Sequence, residues 1–122
     1  MQSLLYIFIG GGLGSICRYL IGSFFTDNVN SFPYKTFLAN FLSCIVLGFL
    51  MGYLTKNNID TKYKLFLMTG FCGGFSTFST FSGEVFTLLE NQQVSLALGY
   101  ILTSVVFCTL VLFGSYLVGQ NI

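Results

Sequence analysis

The sequence predicts an all-α membrane protein of four transmembrane helices, with a break in the third. Three observations predict it. Of the 122 residues, 54% are apolar and only 7% are charged, so too little polar surface exists to cover a soluble domain. The apolar residues gather into four long stretches. Finally, the uncharged run from Gly70 to Gly83, Gly-Phe-Cys-Gly-Gly-Phe-Ser-Thr-Phe-Ser-Thr-Phe-Ser-Gly, interleaves glycines, hydroxyls and phenyl rings. Such sequence is tolerated at membrane depth only where it is buried in protein or lines a polar path.

A helix needs about 20 residues to cross the hydrocarbon layer, and the four stretches fall at 3–25, 36–54, 65–89 and 95–119. No Lys or Arg precedes the first, and Arg18 interrupts it, which fits a cleaved leader poorly; the segment is expected to be retained. The second follows a connection from Thr26 to Lys35 that holds the only proline. The third follows a charged connection from Thr55 to Lys64. The fourth is reached by a tight Glu90-Asn91-Gln92-Gln93 turn. Four crossings put both termini on one side, and the short connections leave residues 1–122 as one transmembrane domain. Cys17, Cys44, Cys72 and Cys108 fall one per helix, without Cys-x-x-Cys spacing and with no His in the chain. Neither a disulfide framework nor a zinc site is predicted, and the thiols are expected to pack as small apolar groups. The absence of His and of any nucleophile-base constellation argues against an enzyme, and a net charge of +1 gives no footprint for nucleic acid.

Lys56, Lys62 and Lys64 lie on the side of the termini, against Lys35 with Asp27 and Glu90 on the other, so the positive-inside rule favours cytoplasmic termini. The bias is small, and Arg18 shrinks it if its guanidinium extends toward the Lys35 side. A chain so weakly polarised can insert both ways, which opens an antiparallel dual-topology dimer; pairing with an inverted related subunit is the competing arrangement. Gly10 with Gly14, Gly48 with Gly52 and Gly70 with Gly74 repeat at four-residue spacing, the pattern that lets helix backbones approach closely.

The polar residues within the stretches each admit two readings. Arg18 pairs with Glu84, or it concentrates an anion at a vestibule between low-dielectric walls. Asn40 makes an interhelical hydrogen bond, or offers its two N–H donors to a path. Tyr100, Ser104 and Cys108 repeat every four residues, as a stripe of weak donors or as groups bonding back to their own helix. Phe78 and Phe81, flanking Ser79 and Thr80, share a side; they pack, or they turn positive ring edges toward an anion. Carbonyls freed by the glycine break suit a small hard cation.

With these residues assembled, the chain resembles the Fluc (CrcB-type) fluoride channel family over essentially its whole length. The match lies in Gly10-Gly11-Gly12-Leu13-Gly14 with Arg18-Tyr19, in Thr36 through Asn40 with Gly48, in Gly70 to Ser82 with Glu84, and in the Tyr100/Ser104/Cys108 stripe. The resemblance implies a passive, selective fluoride channel of the plasma membrane, built as an antiparallel dimer with two pores. It implies that Phe78 and Phe81 are pore phenylalanines, Asn40 a pore asparagine, and Tyr100 with Ser104 a polar track. It also implies a structural, non-transported Na+ held by the backbone carbonyls of Gly73 and Ser76. Ser76 stands where the family usually has Thr, and Cys108 where the track usually has Ser. The anion path expected is thus Asn40, Phe78, Phe81, Thr80, Tyr100, Ser104 and Cys108, with Arg18 at its mouth.

Two rivals remain at this level. A small proton-coupled multidrug exporter would need a titratable carboxylate at membrane depth, and the first stretch carries none. A non-conducting assembly subunit would use every polar group as interhelical adhesive.

Overall fold

The computed structural model describes residues 1–26 and 28–122; Asp27, counted above among the charges on the Lys35 side, lies outside the described residues. The described chain is helical throughout, with no strand: α1 (Gln2–Gly22), α2 (Tyr34–Lys56), α3 (Thr61–Lys64), a π-helical segment π1 (Leu65–Cys72), α4 (Gly73–Phe75), α5 (Phe78–Glu90) and α6 (Val94–Asn121). Among the described residues, α1, α2 and α6 are long and apolar enough to cross a membrane. These three match the first, second and fourth predicted stretches to within three residues at each end.

The third stretch is built differently from an ordinary helix. Its first part winds as a π-helix over eight residues, far longer than the single-turn bulges usual for that geometry. Gly73 and Gly74, expected to interrupt the helix, are helical, Gly73 having φ −63° and ψ −37°. The extended residues are instead Ser76, with ψ 159°, and Thr77, with ψ 118°. Helical bonding restarts at Phe78, where the Thr77 hydroxyl caps α5 by accepting from the Thr80 N–H at 3.2 Å.

The glycines have a different task, which is close approach. A Cβ at Gly10 would meet the carbonyl oxygen of Phe66, one at Gly14 that of Phe71, and one at Gly74 that of Gly11. These contacts advance together along both segments, so α1 runs parallel to π1 and α4. In the same way a Cβ at Gly48 would meet the Leu112 carbonyl, and one at Gly52 the Tyr116 carbonyl, which sets α2 parallel to α6. All three glycine pairs singled out by spacing therefore sit at helix contacts. Two parallel pairs joined by short connections require the chain to reverse direction at each turn. Both termini consequently share one end of the bundle with the connection between α2 and α3.

At the other end, Leu88, Ala97 and Tyr100 are buried under Phe32, Phe37 and Phe81, with the Phe32 and Tyr100 rings edge-on at 5.2 Å. The faces of the longer helices are largely apolar and exposed: Phe8, Phe78 and Leu102 are 77%, 79% and 64% exposed. A surface of that kind belongs against lipid tails or another apolar chain.

Candidate functional site

The extended pair Ser76-Thr77 is where the polar groups converge. α2 presents Asn40 to it: the Asn40 Oδ1 accepts from the Thr77 N–H at 2.7 Å and its Nδ2 donates to the Thr77 carbonyl at 3.2 Å. The amide thus takes both backbone groups that Thr77 would have used in a continuous helix. Because the Thr77 N–H turns to Asn40, the Gly73 carbonyl loses its ordinary helical donor. Among the described residues, no hydrogen bond reaches the Gly73 or Ser76 carbonyl outside regular helical bonding. The carbonyl of Cys72, by contrast, accepts from the Ser76 N–H, the Ser76 hydroxyl and the Ser43 hydroxyl, at 3.0, 2.9 and 3.0 Å.

One turn nearer the aromatic end, Glu84 of α5 joins three helices. Its Oε1 accepts from the Thr36 hydroxyl of α2 at 2.6 Å and its Oε2 from the Tyr100 phenol of α6 at 2.7 Å. The ion pair between Arg18 and Glu84 considered from sequence is not present among the described residues. The Arg18 Nε is buried with no hydrogen-bond partner. Arg18 faces a cavity of about 510 Å³ together with Lys35, Ser15, Ser23, Thr36 and Thr80. No carboxylate lines that cavity among the described residues, so the Arg18 guanidinium stands there among hydroxyls. A second, adjoining cavity of about 740 Å³ shares Lys35 and Thr80 with the first and has Glu84 in its wall.

The predicted stripe on α6 resolves into three different situations. Tyr100 is fully buried and its proton goes to Glu84. Cys108 is a free, half-buried thiol, as is Cys44 of α2. Ser104 lies between Tyr100 and Cys108, 7% exposed, with its hydroxyl unpartnered. Bonding back to its own helix, the ordinary recourse of a membrane serine, is used by Ser115, which reaches the Val111 and Leu112 carbonyls, and not by Ser104. Phe78 and Phe81 do share a side, their ring centroids 5.8 Å apart. Phe81 also packs on Tyr100 at 4.9 Å, whereas Phe78 projects from the chain. Thr80 lines both cavities, and its hydroxyl oxygen accepts from that of Thr77 at 3.1 Å.

Sequence reasoning singled out Arg18, Thr80, Asn40, Phe81 and Ser104 but missed two connectors. Thr36 and Thr77 carry the contacts that hold Glu84 and Asn40 in place. Thr36 precedes Asn40 by four residues on one helix face, a signal available from spacing; the pairing of Thr77 with Asn40 needed the fold.

The family model for CrcB-like protein, Camphor Resistance (CrcB), matches residues 5–116. A protein of Flavobacterium psychrophilum named fluoride-specific ion channel FluC is 46% identical over 107 residues, covering 86% of each chain. One from Phocaeicola vulgatus with the same name is 43% identical over 107 residues, covering 87% of this chain and 88% of that one. One from Bacteroides fragilis, again of that name, is 36% identical over 122 residues and 96% of each chain. A match running through all four predicted stretches, glycine contacts and polar cluster included, assigns the chain: it belongs to the CrcB-like protein family.

Proposed function

We propose that this chain is a fluoride-selective ion channel of the plasma membrane, passing the anion by electrodiffusion and so lowering cytoplasmic fluoride. Relatives of like length bearing that name support it, and one feature of this chain carries it: the buried, unpartnered hydroxyl of Ser104. Leaving a buried hydroxyl unpaired costs about 1–3 kcal/mol, a cost removed when a dehydrated anion or a water accepts from it. Fluoride is small and strongly hydrated, so a selective path must replace its water with close donors. Arg18 draws the anion into the 510 Å³ cavity. From there Thr80 and Ser104 offer hydroxyl protons, and Phe81 and Phe78 offer positive ring edges. Asn40 and Tyr100 hold the frame of this path: one amide clamps Thr77, and one phenol ties α6 to Glu84. Fluoride is the base of a weak acid and is trapped as the anion after neutral acid enters, so the inside-negative potential suffices to expel it.

The working unit in this reading is a four-crossing domain, 1–122, in which π1, α4 and α5 form one crossing interrupted at Ser76-Thr77, paired with a second, inverted copy. The exposed Phe78 ring and exposed Gly73 support the pairing, since a path residue and a cation-site residue are left uncovered by one chain alone. The carbonyls of Gly73 and Ser76 fit a small hard cation such as Na+: they lack other donors, and the space beside Gly73 is open. Such a cation takes more oxygens than two, so a matching pair from the other copy would complete the shell. When bound, it would supply a fixed positive charge at the junction.

Liposomes loaded with fluoride and followed by an electrode test the proposal. With a potassium ionophore present, rapid fluoride release without chloride release is the expected result, and retention equal to empty vesicles refutes it. The exporter reading loses ground because Glu84 commits both oxygens to Thr36 and Tyr100.

A further inference from the structure

The contacts between α2 and α6 follow one rung spacing. Thr36 stands beside Tyr100 through their shared Glu84 carboxylate, Gly48 beside Leu112, and Gly52 beside Tyr116. Each pair is separated by the same sequence interval, as two parallel helices in fixed register require. Cys44 and Cys108 fall on that register, one turn before Gly48 and Leu112, where the two backbones approach so closely that no Cβ fits. The shared register sets the two side chains at the same level of the seam between α2 and α6. Both are free and half-buried, and Cys108 belongs to the same α6 face as Ser104 and Tyr100.

We propose that Cys44 and Cys108 form a two-coordinate dithiolate site for a soft divalent cation of the Hg(II) class, and that filling it closes the path at Cys108. The blocking half of this statement rests on the channel reading above; the binding half does not. Ligand number selects the metal. Zinc takes four ligands in a structural site, and no group of three His, Cys, Asp or Glu able to hold a metal occurs among the described residues. A cation content with two sulfurs in line is therefore the one the site suits, and thiolate ligands favour soft metals. Charge points the same way. Two S–H and two metal–chloride bonds break, two metal–sulfur bonds form, and two protons and two chloride ions leave to water, so a divalent cation leaves a neutral complex, avoiding the cost of an uncompensated ion at membrane depth. No electron is transferred. The neutral dichloride form of Hg(II) can enter from lipid or water, so access needs no pore.

The test uses the full chain in liposomes, in a Cys17→Ser, Cys72→Ala background that leaves only the two thiols in question, titrated with mercuric chloride. The expected result is mercury–thiolate absorbance saturating at one metal per chain with two protons released. Fluoride efflux should fall at least tenfold and recover with dithiothreitol. Adding Cys44→Ser should abolish the one-to-one saturation and most of the block. Saturation at two metals per chain with one proton each, or a Cys44→Ser variant blocked as strongly as its parent, overturns the proposal. A chain that binds one metal with two protons yet never conducts fluoride upholds the site and refutes the channel reading. Should the background variant fail to fold, Cys44→Ser compared with Cys17→Ser in the otherwise native chain decides: equal loss of mercury sensitivity refutes the site.

Discussion

Ser104 and Ser115 sit on the same helix, and their surroundings give them different tasks. Ser115 satisfies itself on the carbonyls one turn back, whereas the Ser104 hydroxyl remains unpartnered in the bundle. Replacing Ser104 with Ala removes no hydrogen bond from the resting protein. Thermal stability in detergent should therefore stay level or rise slightly, while fluoride efflux falls about tenfold or more, the worth of one donor to a charged acceptor. Equal losses in both measurements would assign Ser104 to packing. Asn40 should behave in the opposite way. Asn40→Ala strands the Thr77 N–H and carbonyl, at about 1–3 kcal/mol for each group left unpaired. The expected outcome is a clear drop in unfolding temperature, and a variant as stable as the native chain would show that water replaces the amide.

The helices are registered by glycine, and the register carries every polar contact between α2 and α6. A methyl at Gly48 would collide with the Leu112 carbonyl, while one at Gly114 meets nothing within 4 Å. Gly48→Ala should cost about 1–3 kcal/mol, the usual range for overpacking, and lower the yield of folded protein in size-exclusion profiles; Gly114→Ala should not. The turn into α6 offers a stabilising change. Gln92 holds φ 60°, a region costing a side chain about 1–2 kcal/mol, so a glycine in its place relieves strain at the end of α5. Gln92→Gly is expected to raise the unfolding temperature by the equivalent of about 1 kcal/mol.

Across the molecule, charge and surface are divided sharply. The helix exteriors are largely apolar, the exposed charges sit in the connections, as Asp60 and Lys62 do, and the cavity with Arg18 holds a cation among hydroxyls. If that charge concentrates anions, Arg18→Gln should slow fluoride efflux most at low salt, with the difference shrinking as the screening length falls from about 30 Å at 0.01 M to about 8 Å at 0.15 M. A reduced yield with no salt dependence would make Arg18 structural. The uncovered Phe78 ring, at 79% exposure, belongs to the same scale, because a path residue facing outward from one chain is completed by another surface.

Hydropathy alone located three helices and the odd composition of the third, because burying backbone in lipid demands long apolar runs whatever their neighbours. Glycine spacing likewise marked the close contacts, since four-residue periodicity is a property of one helix. Which helices those glycines join is a matter of the packed chain, and so is the pairing of Glu84 with Thr36 and Tyr100 in place of Arg18. The extended residues fell at Ser76-Thr77 and not at Gly73-Gly74 for a related reason. A glycine only permits a change of backbone course, whereas the Asn40 amide, arriving from another helix, supplies the partners that make leaving the helix affordable. Partnership across helices is a relation between distant positions, and no local pattern of residues encodes it.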